Sequence, residues 1–117
     1  MSTSFNLNDR HFILAGNSAA GDAPAGTARF HFRQEGDAVW ATYQGGAIVL
    51  GLLLARADER GELDVRFQQL TAAGELKTGR GLSRVEVLPD ARLRLRETWE
   101  FTSGATGGGE AVFEEIE

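Results

Sequence analysis

From Thr27 onward, apolar and polar residues alternate in short runs divided by tight turns bearing Gly or Asp. Ala28, Phe30 and Phe32 alternate with Arg29, His31 and Arg33, and Leu63, Val65 and Phe67 with Asp64 and Arg66. Leu93, Leu95, Trp99 and Phe101 oppose Arg92, Arg94 and Arg96. A period of two marks a strand with one buried face. Turn signals stand at Glu35-Gly36-Asp37, Gln44-Gly45-Gly46, Asp58-Glu59-Arg60-Gly61, Ala72-Ala73-Gly74, Pro89-Asp90-Ala91 and Gly107-Gly108-Gly109. Together they predict an all-β antiparallel meander of about eight strands, the count at which a calycin-like barrel closes around side chains or one small ligand. Closure also removes the exposed edges that invite aggregation.

The whole chain, 1–117, is read as a single β-barrel domain, with over half its residues in antiparallel strands. Residues 1–10 are polar and expected to fray, with Phe5 and Leu7 as candidate anchors. His11 to Ala15 is a first strand, and Gly16 to Gly26, rich in small residues and carrying Pro24, is a loop. The strand ending at Arg33 and that over Ala38 to Tyr43 form a hairpin. Ala47 to Ala57 is ambiguous, because a continuous apolar run suits either a helix or a buried strand. Gly51 in its middle would cost a helix about 1 kcal/mol relative to Ala, whereas in a strand it marks a bulge or a barrel bend. The hairpin turn that follows decides for a strand. Leu76 to Leu88 continues the meander with a kink near Gly79 and Gly81, and Ala111 to Ile116 closes it. Phe30, Phe32, Val65, Phe67, Leu93, Leu95 and Trp99 are expected to be mostly buried, each on the apolar parity of its strand.

Composition narrows the function classes. Acidic residues number 17 against 12 Lys and Arg, for a net charge of −5. Unspecific nucleic-acid binding depends on basic groups releasing counterions, so nucleic acid is not an expected partner. Without cysteine there is no disulfide, thiolate nucleophile or thiolate metal site. Met1 to Asn6 lacks a basic segment followed by an apolar stretch, so no signal peptide is read there. The longest apolar run, Ala47 to Ala55, falls short of the about 20 residues of a membrane helix. A cytoplasmic protein without membrane association is the expectation.

Glu97 is the residue that calls for chemistry. It shares parity with Leu93, Leu95, Trp99 and Phe101, so alternation points its carboxylate inward. A buried carboxylate must be paired, hydrogen-bonded or protonated. It can bind a ligand amine or act as a general acid; alternatively it lies near the barrel mouth or pairs with an inward arginine. Trp40, Tyr43 and Trp99 can line a cavity and orient a ligand with their polar atoms, or simply fill a β-core. His11 and His31 lie far apart in sequence without a third ligand at a usual spacing, so no metal site is assigned. Ser103 lacks the flanking glycines of a nucleophile elbow. Gly107 to Gly109 precedes no helix, so a hairpin loop replaces a phosphate cradle. Arg92, Arg94 and Arg96 form a basic stripe, read as a solvated, ion-paired face.

Val39 to Gly46, Gly74-Glu75-Leu76, Glu86 to Asp90 and Trp99 to Gly104 resemble a family of uncharacterised bacterial all-β proteins of similar size. Some of its members carry the label N-acetylglutamate synthase. The resemblance spans nearly all residues and implies a barrel-like domain without established catalytic residues. Arg33-Gln34-Glu35-Gly36-Asp37-Ala38 fits the letters of an acetyl-CoA-binding turn, but alternating strands flank it and no helix start offers amides to a pyrophosphate. Trp99-x-x-Thr102-Ser103-Gly104-x-Thr106 is similar to a late strand and turn of avidin-type biotin-binding barrels. That second resemblance implies a pocket-lining role for Trp99.

The sequence therefore gives a leading reading: a calycin-like barrel binding a small apolar or amphipathic ligand through Trp40, Tyr43, Glu97 and Trp99. It needs no cofactor, metal or catalytic residue. A structural or interaction module with a filled core, acting as a homodimer, is the rival. An acetyltransferase-type enzyme comes third.

Overall fold

Alternation becomes eight strands in the computed structural model, which describes residues 5–17 and 22–116. Residues 1–4, 18–21 and 117, within the expected frayed N-terminus, the expected loop and the C-terminal end, lie outside the described residues. The strands are β1 (Arg10–Asn17), β2 (Arg29–Glu35), β3 (Ala38–Gly45), β4 (Ile48–Ala57), β5 (Glu62–Thr71), β6 (Leu76–Val87), β7 (Leu93–Ser103) and β8 (Gly108–Ile116). Each pairs antiparallel with the next, and β8 pairs back with β1 from His11↔Ile116 to Asn17↔Ala111, so the sheet closes into a barrel. Closure satisfies every strand on both sides and leaves no edge.

The run over 48–57 is a strand, but it is not buried on both faces. Gly51, Leu53 and Ala55 point inward while Leu50, Leu52 and Leu54 are exposed. Gly51 borders the register shift of β4, which separates its pair with Tyr43 from the Gly45↔Ile48 pair, and a side chain there would collide with the ring of Tyr43, its partner across the ladder. The last turn falls earlier than the glycine run suggests, because Gly108 already pairs with Glu100. The basic stripe is ion-paired: Arg92 with Asp90, and Arg94 and Arg96 with Glu86.

The two ends of the barrel differ. At the lower end, Phe12, Val39, Leu63, Val65 and Leu95 are fully buried. Leu7 is fully buried with them, its amide hydrogen-bonded to Gln34 Oε1 at 2.8 Å, and Asp9 N donates to the Phe32 carbonyl. Leu7, with Phe5 packed against the core, is the anchor the sequence suggested, and with these bonds it holds residues 5–10 in place as the barrel's plug rather than frayed.

At the upper end sit the β1–β2, β3–β4, β5–β6 and β7–β8 connections. Ala47 N donates to the Asp22 carbonyl and Ala72 N to the Ala47 carbonyl, which links three of them. Gly45 and Gly46 allow this closeness, since both have positive φ and a Cβ would strike the backbone at Thr27 or Asp22. The register shifts on β1, β3, β4 and β6 all fall in the upper half, as bulges do at barrel rims.

Phe30, Phe32, Val65, Leu93 and Leu95 are buried as expected, whereas Phe67 and Trp99 are only partly buried. Both stand inward in the upper half, where the interior is not filled. Truncation should separate the two layers. Phe12→Ala is expected to cost about 3–5 kcal/mol in urea unfolding, and Trp99→Ala clearly less. Equal losses would show Trp99 to be packed as fully as Phe12.

Candidate functional site

A cavity of about 80 Å³ occupies the upper half of the lumen. Its wall is mostly apolar, with Phe30, Tyr43, Phe67, Trp99, Phe101 and Phe113 as the aromatic members. Phe30 stacks on Tyr43 with ring centroids 4.4 Å apart, and Phe67, Trp99 and Phe101 meet edge to face. These rings are held by what lies beneath them. Gly51 leaves room for Tyr43 and Gly79 for Phe67, and in both places a Cβ would overlap the ring. A Cβ on Gly81 would lie 2.7 Å from Glu97 Oε2.

Two polar groups of different character face this space. The first is a chain. Tyr43 Oη donates to Gln69 Oε1 at 2.8 Å, and Gln69 Nε2 donates to Asp22 Oδ2 at 2.8 Å. Lys77 Nζ completes it with hydrogen bonds to both Asp22 oxygens, at 2.8 and 3.0 Å. Asp22 thereby holds the Lys77 ammonium above its ordinary pKa. Burial, followed by the negative charges of Glu97 and Asp22, pushes the Tyr43 phenol up, so it stays a neutral donor.

The second group is Glu97. It is 7% exposed and accepts the Ser83 hydroxyl at 2.6 Å through Oε1. Among the described residues it has no ion pair and no other hydrogen bond, and it lines the cavity. Burial raises its pKa from 4.5 to about 7, against the opposing effect of the Ser83 hydroxyl. The inward-arginine alternative is thus not what the structure holds.

Of the four residues singled out from sequence, Tyr43, Glu97 and Trp99 line the same cavity. Trp40 does not. It lies on the outer face of β3 at 40% exposure, because it stands three residues from Tyr43 and alternation sends the two to opposite sides. Asp22, Gln69, Lys77 and Ser83 were missed. Gln69 and Ser83 were accessible from parity, since each continues the inward row of its strand; Asp22 lies in a loop that alternation does not reach. His11 and His31 stack at 4.2 Å on the outside, with His31 Nε2 2.9 Å from Asp9, and no group of three metal-ligating side chains occurs among the described residues. Arg33 to Ala38 spans the β2–β3 hairpin, so the acetyl-CoA-like letters open no helix.

A family model described as Avidin-like protein matches residues 5–116. No curated protein and no solved structure gives a match.

The burial of Glu97 has a pH signature. Below pH 4.5 the carboxyl is neutral whether folded or unfolded. Between 4.5 and about 7 the folded state retains a proton that the unfolded chain has lost, so stability falls as pH rises through this window. Glu97→Gln is expected to remove that slope and to be more stable at pH 8 by roughly 3 kcal/mol at most. Thermal melts of both proteins from pH 4 to 8 check it.

Proposed function

The chain belongs to the avidin-like family, and we propose that its lumen binds one small, largely apolar ligand oriented by Tyr43, Glu97 and Trp99. The observation that carries the reading is Glu97. Desolvating a carboxylate without a cation costs stability. A filled, all-apolar core would avoid that cost, yet here the carboxylate lines a cavity with one oxygen lacking a hydrogen-bond partner among the described residues. Apolar walls with a few convergent polar groups and a perturbed titrating residue are the physical profile of a ligand site. At about 80 Å³ the cavity is smaller than the ~150 Å³ that admits benzene in an engineered core. The ligand is accordingly compact, or leaves part of itself in the mouth beside Phe101 and Asp22.

Native mass spectrometry of protein purified from its own host tests the reading. A retained small molecule is expected in the wild type and lost in Ala111→Leu, which fills the cavity opposite Glu97. Biotin, the ligand implied by avidin-type barrels, belongs among the added compounds. A ligand retained equally by both proteins would place binding elsewhere.

A second reading, a homodimer, is favoured by the outer face of β3, β4 and β5. Trp40, Leu50, Leu52, Leu54 and Leu70 are all exposed there, with Trp40 opposite Leu54 and Leu50 opposite Leu70 across the ladders. A contiguous apolar surface of this kind marks an interaction site. With no sheet edge available, association must use faces. Sedimentation should show a dimer for the wild type and a monomer for Leu52→Lys combined with Leu54→Lys, both retaining the lumen ligand. A wild type that sediments as a monomer at high micromolar concentration removes this reading and leaves the lumen reading intact.

A further inference from the structure

Resting on the lumen reading, the structure also assigns the charge of the ligand: we propose that the cavity takes a protonated amine on a compact apolar body, its ammonium against Glu97. The two carboxylates at this end set the case. Asp22 already has its cation, Lys77 Nζ at 2.8 Å. Glu97 has none among the described residues, and it is buried. The Ser83 hydroxyl donates to Oε1, and its 2.6 Å length suits a bond to an ionised acceptor. Glu97 lines the cavity, and its Oε2 has no hydrogen-bond donor among the described residues. A neutral donor in the ligand could satisfy that oxygen, but only a cation also offsets the charge.

The surroundings favour a cation as well. Of the two charged residues lining the cavity among those described, Asp22 is offset by Lys77, so the uncompensated charge is that of Glu97, which disfavours a ligand carboxylate. Trp99, Phe67 and Phe101 present a cluster of rings to the same space, and ring faces attract cations. One member already does so: Lys77 Nζ sits 5.7 Å from the centre of Phe101. The side chains packed against Glu97 add no competing titration near neutrality. Ser83 on β6 and Ala111 on β8 do not ionise there, Tyr43 on β3 is held neutral by its raised pKa, and Asp22 is paired with Lys77. The amine affinity therefore follows the ionisation of Glu97.

The test compares isobutylamine, isobutyl alcohol and 2-methylpropionate, whose bodies are smaller than benzene, by calorimetry on the full chain. At pH 8 the amine is expected to bind at least tenfold tighter than the alcohol, with the propionate weakest. At pH 5.5 that preference should shrink severalfold. Glu97→Gln should bring amine and alcohol within about threefold of each other, as fits loss of one charged partner. Gly81→Ala, which places a methyl against the carboxylate, should reduce the preference without removing any charge. If the alcohol or the propionate binds the wild type as tightly as the amine, the charge assignment is overturned and the lumen reading stands. If none of the three binds while native mass spectrometry finds a retained molecule that carries no amine, the assignment is again overturned alone. If none binds and nothing is retained, both fall.

Discussion

An eight-stranded barrel has an interior just wide enough for its own side chains, so each large inward residue takes its room from a neighbour. In the upper half of this barrel that room comes from glycine. Tyr43 lies over Gly51, Phe67 over Gly79, and the Glu97 carboxylate beside Gly81. The three vacancies give the rings and the carboxylate the room in which they rest. They also leave a space that the rings border without filling. The lower half has no such arrangement. Phe12, Val39, Leu63, Val65 and Leu95 pack against one another, and Leu7 closes the end. One fold thus holds a layer that supplies stability and a layer that remains open.

Much of this was legible in the alternation of the chain, and its failures are physical. Where small or polar residues alternate with large apolar ones, as in β2, β5 and β7, parity assigned the inward face correctly and turned Glu97 into the barrel. Trp40 was misplaced because its size was weighed and its parity was not: Tyr43, three residues on, is the one that points inward. β6 hid its contribution for the opposite reason. Its inward row is Gly79, Gly81, Ser83 and Val85, whereas Leu76, Leu82 and Val87 are exposed, so hydrophobicity runs against burial. The Asp22–Gln69–Lys77 chain joins a loop to β5 and β6 across 47 and 55 residues of sequence. Only closure of the sheet brings these together, and no local pattern encodes it.

The outer surface follows from the same inversion. Leucines that would crowd the lumen of a small barrel stand outside on β4, while glycine and alanine take the inside at Gly51, Ala55 and Ala57. A strand that reads as a buried run is therefore a strand whose apolar side chains have been turned outward. Its inner row is kept small enough for the ring of Tyr43, and its outer row leaves an apolar face. The cavity and the exposed stripe are two results of one distribution of side-chain size.

What remains is why Glu97 lacks a cation when one stands so near in the fold. The inward row of β6 reads Lys77, Gly79, Gly81 and Ser83. Its positive charge is committed to Asp22, its middle is empty, and its group nearest Glu97 is a neutral donor. A longer basic side chain in the place of either glycine would have to occupy the space now held by Phe67 or by Glu97 itself. The vacancy that seats the carboxylate is thus the same one that bars an internal counter-ion. Such a combination costs stability, and costs of this kind concentrate at functional sites rather than in packing layers. Neutralising Glu97 from within would close the cavity; neutralising it from outside requires only that something enter.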